Sequence, residues 1–518
     1  MEVFTNLAGG FAIALSAQNI FLALVGCFLG TLMGALPGLG PANGVAILIP
    51  IAFTLGLGPI PSMILLTSVY YGAMYGGRIS SILLNIPGDE PAMMTCLDGH
   101  PMAMQGKAGE ALALSGVASF TGDFFGTWGL VLLAPLLVKV ALLFGPAEYF
   151  ALFTMAFATL GGLTASNQAK SAFAAALGLG IAMIGSDSQT GSERFTFGHI
   201  NLYDGIDFLI AIVGLFAISE VLIFIEHHQG GAAAKSRSKV GGHRWPGFRV
   251  LKRSIGTIGR STIIGFLSGV LPGAGASLGS FLSYSVEKNL VDPEGKTFGK
   301  GDPRGVIAPE VANNAAAAGA LVPMLSLGVP GSGTTAVLLA VLLQLNITPG
   351  PLLFRNNPDV VWSLIAALFM GNFMLLALNL PLVGLFTRVL MIPVRILMPT
   401  VAMISFVGIY GLTGSTFDVM LLAGFGFAGW LLRKLGVPLV PVILGILLGN
   451  EMEVNLRRAL QISDGDWSIM VGSPLAIGIW VIAIAGFVLP MFLGKKIKKQ
   501  IHADHSEIEV EEVDKGGD

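Results

Sequence analysis

Charge is scarce in this sequence, and so are the residue patterns that build catalytic and metal sites. Only 12% of the 518 residues are charged, against about 25% in ordinary soluble domains. The 2 cysteines, Cys27 and Cys96, lie in or beside apolar segments without metal or redox spacing, so we interpret them as buried hydrophobes. The HExxH pattern and the GxxxxGK[ST] phosphate loop are absent. We therefore predict that the protein is not an enzyme and holds no metal or cofactor.

Apolar residues are abundant instead. They make up 53% of the chain, and apolar runs recur almost from end to end. A soluble protein of this length would expose too much of that surface to water. The sequence therefore predicts an all-α polytopic protein of the lipid bilayer, without a nucleic-acid partner. Residues 1–19 lack a basic leader, so we expect the first apolar segment to stay in the mature protein.

One stretch, residues 26–43, begins as a helix with glycines four apart and then breaks at Leu-Pro-Gly-Leu-Gly-Pro. Proline and glycine do not continue the helix. In hydrocarbon, an exposed backbone is tolerated only where it is buried in protein or lines a cavity. A Pro/Gly-broken or re-entrant helix inside a membrane protein therefore predicts a binding site.

The same pattern returns 235 residues later, at residues 261–277. Residues 70–88 then align with residues 313–331 at an offset of 243, and Asp123 aligns with Asn372 at an offset of 249. Matches that keep their order at slowly growing offsets are typical of tandem duplication. We predict two tandem homologous halves of transmembrane helices, the first at residues 1–226 and the second at residues 255–494.

A basic linker, residues 227–254, separates the halves, and a charged tail, residues 495–518, follows them. The linker holds 7 Lys and Arg residues and no acidic residue. The positive-inside rule therefore places it in the cytoplasm, together with the Lys-rich start of the tail. The relative orientation of the halves stays open at this point. Basic flanks at both ends favour a parallel arrangement, whereas paired broken helices that close one site from opposite faces favour inversion.

Apolar runs predict the positions of the membrane segments. Residues 44–58 are too short for a comfortable crossing and favour a half-helix or re-entrant arm. A polar loop with Asp98, His100 and Lys107 is expected after the second full span. The predicted segments are 20–36, 60–86, 110–144 (one long helix or two short ones), 147–165, 171–185, 207–226, 360–391, 398–413, 417–432, 437–449 and 470–493.

The breaks supply the candidate substrate site. Half-helix N-termini expose backbone N–H groups and carry about half a positive charge, so they bind anions. The alternative at each break is a packing kink or simple N-capping. Candidates at the first pair of breaks are Pro37, Gly38, Gly40, Asn43, Pro272, Gly273, Gly275 and Ser277. Candidates at the second pair are Asn85, Pro87, Gly88, Pro330, Gly331, Ser332, Gly333, Thr334 and Thr335.

Four polar residues inside apolar segments complete the candidate set. Asn313 and Asn314 begin an Ala-rich stretch, where unpaired amides are costly. They contact substrate or a cation, or they hydrogen-bond between helices. Arg78 either neutralises an anionic substrate or extends to the membrane surface. Asp123 is a candidate cation-coupling site, unless it pairs with Lys139 or with a hydroxyl group.

Four segments carry a resemblance to a known family. They are Gly-Thr-Leu-Met-Gly-Ala-Leu-Pro-Gly-Leu-Gly-Pro (30–41), Tyr-Gly-Gly-Arg-Ile-Ser-Ser-Ile-Leu-Leu-Asn-Ile-Pro-Gly (75–88), Pro-Glu-Val-Ala-Asn-Asn-Ala-Ala-Ala-Ala-Gly-Ala (309–320) and Leu-Gly-Val-Pro-Gly-Ser-Gly-Thr-Thr-Ala (327–336). With them, the chain resembles the large membrane subunit of the tripartite tricarboxylate transporters over most of its length.

The resemblance implies a multi-pass permease of the bacterial inner membrane. It also implies two protein partners, a small membrane subunit and a periplasmic substrate-binding protein. The implied substrate is citrate or another small tri- or dicarboxylate, imported by symport with Na+ or H+. The residues alone favour only a duplicated transporter with anion-suited breaks. The rival interpretation is a channel or scaffold subunit without its own substrate site.

The first pair of breaks gives a direct test. We expect Gly38→Val or Gly273→Val to abolish transport while leaving membrane insertion intact, because a side chain would fill a backbone-lined cavity. Uptake by vesicles and the amount of inserted protein are the two measurements. Normal transport by both variants would identify the breaks as packing kinks.

Overall fold

The computed structural model describes residues 2–36, 38–163, 168–187, 189–227, 247–272, 275–292, 296–382 and 394–488. The helices in these residues are α1 (Glu2–Ala14), α2 (Ala17–Ala35), α3 (Gly40–Thr54), α4 (Pro59–Leu84), α5 (Met93–Met102), α6 (Ala108–Ala141), α7 (Pro146–Leu163), α8 (Gln168–Ala182), α9 (Phe208–Val213), α10 (Ser219–His227), α11 (Phe248–Arg253), α12 (Ile255–Val270), α13 (Gly275–Val291), α14 (Pro303–Leu327), α15 (Gly333–Gln344), α16 (Leu353–Asn356), α17 (Pro358–Asn379), α18 (Val394–Thr413), α19 (Thr416–Lys434), α20 (Leu439–Ile462) and α21 (Pro474–Val488).

Short irregular elements join some of these helices. π-helical turns at Ala103–Lys107 and Gly214–Ile218 connect α5 to α6 and α9 to α10, and 3₁₀ turns lie at Ile200–Leu202 and Trp467–Val471. Two strands of two residues each, β1 (Gly185–Ser186) and β2 (Glu193–Arg194), pair antiparallel between α8 and α9. The rest of the regular structure in the described residues is helical.

Six of the described helical segments are long and apolar enough to cross a membrane. They are Ala17–Ala35, Met93–Ala141, Phe208–Glu226, Pro358–Asn379, Thr416–Lys434 and Leu439–Ile462. The prediction of an all-α polytopic membrane protein is therefore confirmed. The central helices α4 and α14 are less apolar, and nearly all of their side chains are buried inside the protein.

Glycine allows α2 and α4 to pack with their backbones in contact. A Cβ atom added to Gly30 would overlap the carbonyl of Val69, and one added to Gly34 would overlap that of Ala73. The pair α12 and α14 makes the same contacts at the aligned positions, where Gly265 faces Ala312. Small residues permit this close approach in membranes, where packing and not water exclusion drives helix association.

The central helices α4 and α14 run antiparallel. The hydroxyl group of Tyr70 donates to the carbonyl of Ala317 at 3.5 Å, whereas Arg78, further along α4, interacts with the charge of Glu310, earlier in α14. Residue numbers therefore rise along one helix as they fall along the other. Each central helix also packs against the other part of the chain, since α14 contacts α6 and α4 contacts α17.

Helix α3 is short, as the sequence predicts. Its 15 residues span about 22 Å at about 1.5 Å per residue, less than the ~30 Å of the hydrocarbon core. The segment predicted at residues 110–144 is one helix, α6, with 34 residues. Helix α20 extends to Ile462, well beyond the predicted end at residue 449. Most of the linker and all of the tail lie outside the described residues.

The predicted polar loop after α4 is wrong. Asp98 and His100 lie within α5, and Asp98 is fully buried. Its carboxylate accepts hydrogen bonds from the backbone N–H groups of Gly299, Gly301 and Asp302 and from the hydroxyl of Tyr284. A charged residue in a short segment suggested exposure, but a partner 200 residues away in sequence satisfies it.

A second carboxylate orders the same connection between α13 and α14. Asp292 accepts hydrogen bonds from the backbone N–H groups of Lys296, Thr297 and Phe298. These bonds, led by that of Phe298, lower the pKa of Asp292 to about 2. Together, Asp292 and Asp98 order the connection that leads into the N-terminus of α14 and join it to α5.

The close glycine contacts predict a large effect of one methyl group. We expect Gly30→Ala to lower the free energy of unfolding by about 1–3 kcal/mol, the usual cost of overpacking, because its Cβ would overlap the Val69 carbonyl. The control is Gly9→Ala in α1, where a Cβ meets nothing within 4 Å. Thermal melting of the detergent-solubilised protein measures both. Equal melting temperatures for the two variants would contradict the close contact.

Candidate functional site

Unpartnered polar atoms concentrate around the crossing of α4 and α14. Among the described residues, both carboxylate oxygens of Asp123, both amide atoms of Asn313 and the amide oxygen of Asn314 are buried without a hydrogen-bond partner. Asp123 is 0% exposed. Native proteins satisfy nearly all buried polar groups, so a group of orphans at one place indicates a site whose ligand is a cation or a polar molecule.

Helix packing brings these three residues to the same level. Glycines at positions 122 and 126 of α6 face Val311 and Ala315 of α14 in backbone contact. Asp123 lies between Gly122 and Gly126 in α6. Asn313 and Asn314 lie between Val311 and Ala315, the residues of α14 that these glycines contact. The Nδ2 of Asn314 donates to the carbonyl of Glu310.

Three tyrosines of α4 line the other side of the crossing. Tyr71 shares a hydrogen bond with Thr127 at 3.4 Å, and the hydroxyl of Tyr75 donates to Asn372 Oδ1 at 3.0 Å. Tyr70 also interacts with the side chain of Ser332. All three rings are buried. None of the three was predicted as a site residue, although the alignment of Tyr70 and Tyr71 with Asn313 and Asn314 was a usable signal.

Arg78 is a cross-link between helices in this structure. Its Nε donates to the carbonyl of Tyr75, its Nη1 to Leu112 and Ser115, and its Nη2 to Asn379. Four of the five guanidinium N–H groups are therefore used within the protein. The side chain is 0% exposed, so it does not extend to the membrane surface. This geometry favours a structural role over substrate binding.

Glu310 is a buried charged residue that the sequence analysis missed. Its carboxylate accepts hydrogen bonds from Thr95 at 2.6 Å and from Ser119 at 2.9 Å, and its charge interacts with Arg78. It therefore joins α14 to α5 and α6. Glu310 precedes Asn314 by one turn on the same face of α14, and this spacing could have identified it from the sequence.

Asp123 and its aligned residue differ in their partners. Asn372 has both amide atoms satisfied, since it accepts from Tyr75 and donates to the carbonyl of Phe120. At the positions aligned with Tyr75 and Asn372 stand Ala318 and Asp123, so no hydroxyl is available from α14. Lys139, the predicted alternative partner, is exposed and lies 16 residues along the same helix. Pairing with Lys139 is therefore wrong.

Gly38 lies in the break between α2 and α3, and Gly40 and Asn43 lie in the first turn of α3. Gly38 and Gly40 have φ angles of +87° and +51°, which favour glycine. A Cβ on Gly40 would meet nothing within 4 Å, so this position is open. Helix α3 begins without a side-chain cap, which leaves its first N–H groups for a ligand. The candidates Pro37 and Gly273 lie outside the described residues.

The break before α13 resembles this one in its open space. Gly275 has φ +58° and no atom within 4 Å of an added Cβ, and Pro272 is buried. Ser277 donates to Glu90 at 3.2 Å. Residues 275–279 match the GxSxG spacing of hydrolase nucleophiles, but Ser277 lies inside a helix and lacks the strand–turn–helix context of that motif.

The second pair of breaks is packed tightly. A Cβ on Gly88 would overlap Gly34, and one on Gly331 would come within 2.9 Å of Gly269. Asn85 takes a left-handed conformation at the end of α4, Pro87 and Pro330 lie in the turns themselves, and Gly333 begins α15. Ser332 and Thr335 cap α15 reciprocally, and Thr334 is buried beside them. Packing and capping therefore account for these breaks in this structure.

Metal chelation by acidic, histidine and cysteine side chains has no support in the described part of the chain. No group of three such residues is placed to hold an ion there. A cation at Asp123 would instead take amide, hydroxyl or backbone oxygen atoms as its other ligands, which suits Na+ better than a transition metal.

Comparison with known proteins gives one family match. Residues 20–444 match the model of the tripartite tricarboxylate transporter TctA family. A protein of Agrobacterium vitis, described as an uncharacterized 52.8 kDa protein in the TAR-I ttuC' 3' region, is 39% identical over 97% of this chain and 100% of its own length.

A second Agrobacterium vitis protein, from the TAR-II ttuC' 3' region and also uncharacterized, is 40% identical over 45% of this chain and 97% of its own length. No solved structure matches the chain.

The role of Arg78 is open to a direct test. We expect Arg78→Lys to lower the free energy of unfolding by several kcal/mol, because lysine cannot reach four acceptors in three helices and each buried polar group left unsatisfied costs about 1–3 kcal/mol. Thermal melting without substrate measures this. An unchanged melting temperature together with a raised KM would instead identify Arg78 as a substrate ligand.

Proposed function

The chain belongs to the tripartite tricarboxylate transporter TctA family, and from this premise we propose that it is the permease subunit of an ion-driven symporter. Its cargo is a small organic polyanion such as citrate or another tri- or dicarboxylate, and its coupling ion is Na+ or H+. The observation that carries the proposal is the buried, unpartnered carboxylate of Asp123.

Charge counting at the crossing of the central helices supports a cation. Asp123 and Glu310 bring two buried carboxylates, whereas Arg78 brings one buried positive charge. Leaving a charge buried without compensation costs several kcal/mol. A proton or a Na+ ion at Asp123 restores neutrality. The site therefore attracts one cation before any substrate arrives.

Energetics require such ions for import. Moving one charge against the membrane potential costs about 2.3 kcal/mol per 100 mV. A trivalent anion entering a negative-inside cell therefore faces roughly 7 kcal/mol per 100 mV. Three monovalent cations neutralise it, two suffice for a dianion, and more are needed for accumulation driven by the potential. The nucleotide-binding loop that would supply another energy source is absent from the sequence.

The architecture that we propose is an inverted internal repeat, with residues 1–226 and 255–494 as its halves. The matched glycine contacts of α2 with α4 and of α12 with α14 support the repeat. The antiparallel course of α4 and α14 supports inversion. Inverted repeats place the substrate near the bilayer midplane, between broken helices, and we propose that the breaks with the open glycines Gly40 and Gly275 are those helices.

The partners and the location follow from the family. A tripartite system implies a small membrane subunit and a periplasmic substrate-binding protein beside this permease. The bacterial inner membrane is the compartment in which such a system operates. The basic linker and tail then face the cytoplasm by the positive-inside rule.

The test is uptake by inside-negative membrane vesicles that contain the permease and its partner subunits. Labelled citrate, isocitrate, malate and succinate are offered separately, and ionophores collapse the Na+, proton and electrical gradients in turn. We expect accumulation that is lost with the coupling gradient. Accumulation that survives loss of all three gradients would contradict symport, and equilibration without accumulation of any carboxylate would indicate a channel.

Asp123→Asn tests the coupling site. We expect at least a tenfold loss of apparent cation affinity, because a neutral amide has no charge with which to attract the ion. The substitution keeps the size of the side chain, so the protein should still insert and fold. The measurement is the cation dependence of uptake at saturating substrate. Asp204→Asn, at an exposed position, is the matched control. Equal cation dependence in the two variants would remove Asp123 from the coupling mechanism.

A further inference from the structure

A carboxylate of the protein itself lies at the first break. Glu220, on α10, is 7% exposed, and its Oε1 would lie 3.3 Å from a Cβ added to Gly38. Its Oε2 lies 3.4 Å from the Nδ2 of Asn43. Gly38 and Asn43 are two of the residues at which the sequence predicts an anion. In this structure, the anionic group beside Gly38 and Asn43 is the carboxylate of Glu220 itself.

Arg433 completes the surroundings of this carboxylate. It forms an ion pair with Glu220 from the C-terminal end of α19, and its side chain is 26% accessible. One side of the guanidinium group therefore reaches solvent-accessible space while the other holds Glu220. The Nδ2 of Asn43 also donates to the carbonyl of Gly38, whereas its Oδ1 is buried without a partner among the described residues.

More positive charge surrounds this place. Lys434 pairs with Glu226 and stacks on Trp430, with Nζ 4.3 Å from the ring centroid. Lys170 donates to the carbonyl of Leu435. Three cations therefore gather at the C-terminal end of α19, against the two carboxylates of α10. Such an excess raises the local concentration of anions.

We propose that Glu220 occupies the position of a substrate carboxylate, and that the incoming substrate displaces it to bind Arg433 and Asn43. Glu220 then stands free of Arg433 while substrate is bound and returns to it when the substrate leaves. The guanidinium group keeps a carboxylate partner throughout, so its charge is never left uncompensated. This inference rests on the proposed carboxylate transport.

The alternative is an ion pair that only holds α10 against α19. The two accounts differ in what removal of the negative charge does. A competing carboxylate raises the KM of the substrate, so its neutralisation lowers KM. A purely structural pair contributes stability, so its neutralisation lowers the melting temperature and leaves KM unchanged.

The experiment measures KM for the first carboxylate, among citrate, isocitrate, malate and succinate, that wild-type vesicles accumulate. We expect Glu220→Gln to lower KM about tenfold, which corresponds to removal of about 1.4 kcal/mol of competition. Arg433→Gln should raise KM at least tenfold, and Arg433→Lys should raise it less, since lysine keeps the charge but loses the planar fork.

Two further variants separate the accounts. The double variant Glu220→Gln with Arg433→Gln removes both charges of the pair. We expect it to keep the high KM of Arg433→Gln, whereas a structural pair predicts near-normal KM once both charges are gone. Asp204→Asn, at an exposed position outside these two helices, is the control and should leave KM unchanged.

Melting of the purified protein with and without the same carboxylate provides a readout besides transport. Stabilisation by substrate should increase in Glu220→Gln and disappear in Arg433→Gln. If wild-type vesicles accumulate a carboxylate but Glu220→Gln has unchanged or raised KM, this inference is wrong and the proposed function stands. If the wild type neither accumulates nor is stabilised by any of the four carboxylates, the proposed function itself fails.

Discussion

Lipid offers no hydrogen bonds, and this constraint governs the whole arrangement. Every backbone and side-chain polar group at membrane depth must find a partner inside the protein or line a cavity. The buried Arg78 finds four acceptors in three helices, and Glu310 takes two hydroxyl donors. In contrast, both carboxylate oxygens of Asp123 are buried without a hydrogen-bond partner among the described residues.

Near-symmetry makes this exception visible. Aligned glycines give α2–α4 and α12–α14 the same backbone contacts, so the helices meet alike in both parts of the chain. The side chains at the crossing differ, however, because Tyr75 satisfies Asn372 and Ala318 offers nothing to Asp123. The same backbone contacts therefore carry different side chains, a hydrogen-bonded Asn372 at one position and an unpartnered Asp123 at the aligned position. The duplication that we propose, followed by divergence at a few positions, is sufficient to produce that difference.

Sequence patterns predicted the parts of this fold that depend on local chemistry. Apolar runs predicted the membrane class, and the Leu-Pro-Gly-x-Gly breaks predicted the ends of α2 and α12, because proline and glycine act within a few residues. The burial of Asp98 was not predictable, since its partners lie about 200 residues away. Glu220 was missed for the same reason. It lies in an apolar helix far from the break in sequence, and only folding brings it to Gly38.

Arg78 and Arg433 differ in a way that bears on transport. Arg78 is fully buried and saturated by fixed acceptors, so exchanging its partners would leave donors unsatisfied in a dry interior. Arg433 is partly accessible and holds mainly one carboxylate on another helix, so a substrate carboxylate can take the place of Glu220 without leaving the guanidinium group unpaired. A transporter needs both kinds of contact. The contacts of Arg78 hold α4, α6 and α17 together, whereas the Arg433–Glu220 pair is the one that we propose to exchange with substrate. The proposed exchange takes place at the break before α3, whereas Arg78 lies on α4 among fixed acceptors, so the proposed binding contact is separate from the framework that supports it.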